Sequence, residues 1–242
     1  MKTKLLAAFL LIFCSALSQI KQDQRIWFSY LGQYKVSEKW GYHIEAQFRL
    51  DNQLEQNLQN GFRFGAIYYL SPKANITAGY ALVKTFSPSL EKFSTENRFW
   101  EQYQYNKKWH DNKNTMTHRF RLEQRFVEHL ATVSGESNEF NYQNRLRYLN
   151  RNVFHVANLS SDKEEIYAVA QNEVFLSLGN NKVNSKFIDQ NRFMVGLGLN
   201  YNNNIRLELG YLNQFATSSY GDNTMNHIVS ISLLQNLDLE KH

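Results

Sequence analysis

The feature that most narrows what this chain can fold into is a period of two. Residues 117–126 read THRFRLEQRF, with Arg119, Arg121, Glu123 and Arg125 on alternate positions and His118, Phe120, Leu122, Gln124 and Phe126 between them. Successive side chains of a strand point to opposite faces, so this segment has one charged face and one mostly apolar face. The pattern recurs. Trp40, Tyr42, Ile44, Ala46, Phe48 and Leu50 alternate with His43, Glu45, Gln47 and Arg49. Phe62, Phe64, Ala66, Tyr68 and Leu70 repeat it around Arg63, as do Ile76, Ala78, Tyr80 and Leu82. Phe193, Val195, Leu197 and Leu199 oppose Arg192, Gly196 and Gly198, and Ile205, Leu207, Leu209 and Tyr211 oppose Arg206, Glu208 and Gly210. Each clean run is about 9 to 11 residues, the length of a tilted strand that crosses a bilayer. Less regular strands fit residues 26–36, 97–107, 141–150, 166–178 and 227–234.

Short polar turns (37–39, 71–74, 110–114, 202–204) take turns with longer segments (51–59, 84–96, 128–139, 179–189, 216–226), the rhythm of an outer-membrane meander. Only the connection 151–165 is long where a short one is expected. Eleven strands can be counted, starting near Ile26, Trp40, Gly61, Asn75, Asn97, Thr115, Asn141, Ile166, Gln190, Ile205 and His227. Bacterial single-chain barrels close on an even number, so that the first and last strands pair antiparallel. The expected fold is therefore all-β, an antiparallel transmembrane β-barrel within the range of about 10 to 12 strands, parity demanding 10 or 12 with 12 preferred. A further strand would hide in 152–158, or 26–36 would lie outside the wall. Arg63-Phe64 followed by Gly79-Tyr80 is echoed by Arg192-Phe193 followed by Gly210-Tyr211, as two hairpins of one design, or chance, would produce.

The choice of polar residue points to which face is enclosed. Open water suits lysine, whose ammonium is strongly hydrated; a crowded interior favours arginine, whose planar fork pairs with carboxylates and amides. Arg49, Arg63, Arg119, Arg121, Arg125, Arg145, Arg147, Arg192 and Arg206 sit on polar strand faces, whereas lysines such as Lys39, Lys73, Lys113 and Lys182 sit in turns and loops. Glu45, Glu101, Glu123, Glu173 and Glu208 are the expected partners of these arginines, giving a narrow Arg/Glu-lined lumen. Trp40, Tyr69, Trp109, Tyr148 and Tyr201 near the short turns, and Phe48, Phe62, Tyr80, Phe126, Tyr142 and Tyr211 near the longer loops, read as two interfacial girdles.

The beginning of the chain supplies the address. Lys2 and Lys4 precede an apolar run at 5–13, and Ala16-Leu17-Ser18 offers small residues at the cleavage positions. Residues 1–18 read as a secretory signal peptide and 19–242 as one barrel domain, with Gln19 first in the mature chain. Cys14 follows Phe13, where a lipoprotein signal needs a small residue, so it leaves with the signal. The mature chain then has no cysteine, and its formal charge falls from +5 to +3 with the loss of Lys2 and Lys4. That small excess gives no reason to expect nucleic acid. No later apolar run approaches the roughly 20 residues of a membrane helix.

Several spaced pieces resemble a known family. Trp27, the VSEKW turn leading to Glu45 and Arg49, ENRFWEQ at 96–102, HRFRLEQRF at 118–126, NRLRY at 144–148, QNE at 171–173 and LGYLNQ at 209–214 are similar to the Bacteroidota-type outer-membrane barrels called domain of unknown function 2490. The resemblance implies a barrel in the bacterial outer membrane and supplies no activity, substrate or catalytic residue. The end, LLQNLDLEKH, lacks the final aromatic residue that the barrel-insertion machinery usually reads.

No phosphate loop, HExxH helix or GxSxG elbow occurs, and the histidines lack metal-ligand spacing, so neither a cofactor nor a metal is expected. His129, Asp222, Asn226 and His227 fall where barrel enzymes place a rim site, which is also where loop tips are polar in any barrel. Three functions remain: a narrow channel or transport barrel for small, anionic solutes; a structural or surface-binding barrel; and an enzyme with a rim site. A lumen filled by ion pairs suits a small barrel, and an excess of arginine suits anions. The expected partners are outer-membrane lipid and the barrel-insertion machinery, with the protein a monomer.

Overall fold

The computed structural model describes residues 20–51, 54–111, 113–130, 139–159, 164–179, 182–202, 204–219 and 221–241. The signal peptide expected at 1–18, and Cys14 with it, lies outside these residues. Eleven strands among the described residues close into one barrel: β1 (Lys21–Lys35), β2 (Trp40–Asp51), β3 (Asn57–Ser71), β4 (Ala74–Ser87), β5 (Lys92–Trp109), β6 (Asn114–Glu128), β7 (Phe140–Asn158), β8 (Glu165–Leu178), β9 (Ile188–Tyr201), β10 (Ile205–Ala216) and β11 (Thr224–Asp238). Every consecutive pair is antiparallel, and β1 closes on β11 in parallel, from Lys21↔Thr224 to Lys35↔Asp238.

This closure corrects the expectation of 10 or 12 strands. The count of eleven stands, and the parity rule gives way. With an odd number, β1 and β11 both run from the rim of the longer connections to the rim of the short turns, so they can meet only in parallel. Parallel pairs are slightly weaker per residue. Here the ladder spans the whole of β1, and the hydroxyls of Tyr30 and Tyr34 both donate to Gln235 Oε1 across it, at 2.7 and 3.0 Å. Lys35 Nζ adds a 2.8 Å contact to Glu240 beyond the end of β11.

Two other expectations are corrected. The described residues of the irregular segment 151–165 hold no extra strand; β7 simply continues to Asn158, and 159–164 connects it to β8. Its alternation fades there because Asn150 and Asn152 stand on the outer face opposite the inward Leu149 and Val153, so apolar and polar residues exchange sides. Residues 26–36 belong to the wall as β1. Trp27 and Leu31 point inward there, against the outward Ile26, Phe28 and Tyr30, which blurs the pattern. The strands also consume much of the predicted loops, reducing 84–96 to a turn at 88–91.

Phe62, Phe64, Phe120, Phe193, Leu197, Leu207 and Leu209 are each about half exposed on the outside of the wall. Aromatic rings ring both ends, with one exchange: Tyr69 faces inward beside Gly41, and Tyr68 takes the outer place, its ring edge on Trp40 at 5.0 Å. Each of the two echoing hairpins carries a cross-strand glycine pair, although Arg63 and Arg192 stand at different distances from it. Gly65 pairs with Gly79 in β3–β4, and Gly196 with Gly210 in β9–β10. Trp100 lies against the first pair and the Met194 methyl against Gly210, so each glycine pair leaves a flat patch of inner wall that a larger side chain covers.

Candidate functional site

The interior is where chemistry gathers. An 11-stranded barrel lies between the 8-strand size that ordinary side chains fill and the 16-strand size that leaves a water channel, so only long side chains can bridge it. The sequence supplies them as arginine, glutamate and tryptophan. Arg49, Arg63, Arg119, Arg121, Glu123, Arg125, Arg145, Arg147, Glu173, Arg192, Arg206, Glu208 and Glu45 all stand on the inner face. Glu101 does not. It faces outward between Ala78 and Leu122, accepting a 3.1 Å hydrogen bond from Gln124 Nε2, while its neighbour Trp100 fills the lumen. In ENRFWEQYQ the inner set is Glu96, Arg98, Trp100, Gln102 and Gln104; a glutamate and a tryptophan in sequence each occupy the face opposite to the one their polarity suggests.

Each inner carboxylate collects several donors, as burial of a charge requires. Glu123, with no exposed surface, accepts from Arg145 Nε and Nη2 at 3.0 and 2.6 Å and from Arg147 Nη1 at 2.7 Å. Glu96 takes Arg98 bidentately at 2.6 and 2.9 Å and Arg125 as well. Glu173 accepts from Arg147 and, from β6, Arg119 at 2.7 Å. Glu45 holds Arg63, Gln47 and His43, and Glu208 holds Arg151 and the Tyr167 hydroxyl. Sequence reasoning missed Glu96, Arg98, His43, Arg151 and Asp189 as members. The even-numbered polar positions of 96–104 were the signal for the first two.

Arg49, Arg121, Arg192 and Arg206 have no carboxylate within ion-pair reach among the described residues. Three of them rest on aromatic rings instead. Arg49 lies 4.0 Å over Trp27, Arg121 4.7 Å over Trp100, and Arg192 lies between Trp27 at 5.0 Å and Phe175 at 4.4 Å. Such contacts return about 0.5 to 2 kcal/mol. They also bridge the lumen, since Arg192 on β9 reaches Trp27 on β1, and His43 on β2 meets the Trp100 edge on β5 at 5.6 Å. Trp100, Arg121, Glu123, Gln143, Tyr167 and Phe175 are at most 1% exposed, so side chains fill the lumen at several heights between the two rims.

Toward the rim of the longer connections, the packing leaves a cavity of about 70 Å³ lined by Arg49, Arg63, Arg98, Arg125, Arg145, Arg147 and Arg192, with Gln47, Gln59, Gln190 and Phe175. Above this rim region the connections 179–187 and 217–223 are tied together. Asn184 Nδ2 donates to Asp189 Oδ1 at 2.8 Å and to the Thr217 carbonyl at 3.0 Å, and Asp189 in turn holds Arg145 at 3.1 Å.

A closed β-barrel is the fold the resemblance implied, and its Arg/Glu interior is the one the alternation of residues led to expect. The sequence model for the family described as protein of unknown function (DUF2490) matches residues 24–226. The chain belongs to that family. None of the curated proteins matches it. For this DUF2490 member the rim residues named from sequence do not converge. Asn226 faces inward against Gln214, His227 faces outward against Tyr211 and Gln22, and His129 stands at the start of the β6–β7 connection.

Proposed function

We propose that this protein is an outer-membrane barrel closed to free diffusion, whose role is structural or surface-binding and is exerted from its rim rather than through an open pore. The observation that carries the reading is the bridged lumen, in which aromatic rings and ion pairs meet across the barrel. An apolar exterior of exposed phenylalanine and leucine supports lipid as the surrounding solvent, because a water-facing sheet of that composition is an aggregation hazard. The connections 179–187 and 217–223, knit by Asn184, Ser185 and Ser219, supply a shaped rim for contact with a partner.

Reconstitution into planar bilayers tests the closed lumen: the expected record is silent across chloride, sulfate and phosphate salts, and unitary conductance steps would restore the anion-channel reading. Lipid embedding is tested separately by Leu209→Arg, at an outward position 60% exposed. In a bilayer the change costs about 2–4 kcal/mol near the midplane. A neutral result, with recovery of the protein from the aqueous fraction, would place the barrel in water.

A further inference from the structure

We infer that the arginine cavity is a binding site for one small tetrahedral oxyanion of the phosphate or sulfate class. The inference rests on the interior packing alone and holds whether or not the barrel is lipid-embedded.

Charge is the first argument. Seven guanidiniums line the cavity and no carboxylate does. The carboxylates bonded to those seven are five, Glu45, Glu96, Glu123, Glu173 and Asp189. Glu173 also serves Arg119, which lies outside the lining, so the excess is at least the two positive charges of Arg49 and Arg192, and an anion offsets it. Arginine cannot escape burial by losing its proton, so the unmatched charges are met by an anion or keep a desolvation cost that their aromatic seats offset only in part.

Free donors are the second argument. The Nε groups of Arg49 and Arg63 are buried and have no acceptor among the described residues, although both side chains are otherwise engaged, Arg49 with Gln47 and Arg63 with Glu45. Buried N–H groups are rarely left without an acceptor. Both side chains line the cavity, so its walls carry more donor groups than the protein's own acceptors satisfy.

Size and shape are the third. A space of about 70 Å³, the volume of roughly two waters, accommodates a single tetrahedral oxyanion. Several planar forks converging from β2, β3, β5, β6, β7 and β9 suit an ion with several acceptor oxygens better than a halide, because each fork can take two oxygens at once. The Asn184–Asp189–Thr217 tie lies on the rim side and holds Arg145 in place.

The test uses the full-length barrel, purified in detergent and exchanged into phosphate- and sulfate-free buffer. Sodium phosphate, sodium sulfate and sodium chloride are titrated at matched ionic strength, with calorimetric binding and the unfolding midpoint as readouts. Phosphate or sulfate is expected to bind one to one and raise the midpoint with concentration, as a ligand of the native state must. Arg49→Met and Arg192→Met should each weaken binding by at least about tenfold. The outer-wall change Lys107→Gln should leave it unaltered. Both methionine variants remove an unmatched cation, so they should fold at least as well as the parent in ion-free buffer. Should one fail to fold, phosphate released on denaturing the unaltered protein after gel filtration gives an independent answer, with one per chain expected. The same response to chloride as to phosphate, retention of the phosphate effect in both variants, or no phosphate released from the unaltered protein would each overturn the site and leave water and mutual repulsion as its content.

Discussion

At the scale of single residues, the interior works by over-committing its carboxylates. Glu123 is fully buried and, among the described residues, is the only carboxylate that both Arg145 and Arg147 share. Removing its charge leaves Arg145 with Asp189 alone and Arg147 with a Glu173 that Arg119 shares, so Glu123→Gln should destabilise the barrel by about 3–5 kcal/mol in urea unfolding from detergent. Glu101→Gln, outside the wall with Gln124 as its partner, should cost less than about 1 kcal/mol. Equal effects at the two positions would show that the inner ion pairs do not hold the fold. The contrast also marks how far residue roles were legible. Arg121 and Glu123 could be placed because they lie in an unbroken alternation, where one inward residue fixes all the others. Glu101 could not, because Trp100 beside it is an aromatic residue used as lumen filling. The aromatic seats were equally hidden: Arg49 on Trp27 and Arg121 on Trp100 join neighbouring strands whose pairing the sequence does not show, and Arg192 reaches Trp27 from three strands away.

At the scale of the element, the hairpins show why the wall takes the shape it does. A strand's inner face must leave room for whatever its neighbours project, and glycine is the device where that room runs out. A Cβ built on Gly79 would stand 2.1 Å from the Phe64 carbonyl oxygen and 2.9 Å from the Trp100 ring, and the first of these neighbours is backbone that cannot step aside. Gly61, also on the inner face of this hairpin, has only Val83 nearby, at 3.7 Å. Gly79→Ala should therefore destabilise by about 1–3 kcal/mol through overpacking, while Gly61→Ala should be neutral or stabilise by about 0.5–1 kcal/mol through the lost freedom of the unfolded chain. Denaturation midpoints of the two variants read this directly, and a Gly79→Ala barrel as stable as Gly61→Ala would remove the close approach of Trp100 from the account. The spacing of Gly65, Gly79, Gly196 and Gly210 was visible in the sequence, but its meaning was not. A glycine in a strand signals close approach without naming what approaches, and Trp100 and Met194 come from a neighbouring strand in one case and from the glycine's own hairpin in the other.

For the whole molecule, the odd strand number decides where the chain ends lie. In an even barrel the first strand starts and the last strand ends on the same rim. Here β1 starts at Lys21 on the rim of the longer connections, and β11 ends at Asp238 on the rim of the short turns, beside Lys35. The two ends of the wall therefore emerge on opposite sides, a consequence of the parallel β1–β11 seam that no loop can undo. Single cysteines placed at Lys21, Ser89, Lys39 and Glu240, in a chain whose one native cysteine has been replaced, report this through a membrane-impermeant thiol reagent applied to intact cells and then to opened cells. Lys21→Cys and Ser89→Cys should react as one set, and Lys39→Cys and Glu240→Cys as the other. Which set reacts on intact cells then orients the protein. On the proposed outer-membrane reading, if it is the first, the start of β1 has been carried across the membrane and the longer connections face outward, as is usual for outer-membrane barrels. If it is the second, the arginine cavity, which lies toward the Lys21 rim, opens toward the periplasm. Reaction of Lys21→Cys together with Lys39→Cys fits neither orientation. It would mean that β1 does not span the wall in parallel with β11, and the eleven-strand closure would fall with it.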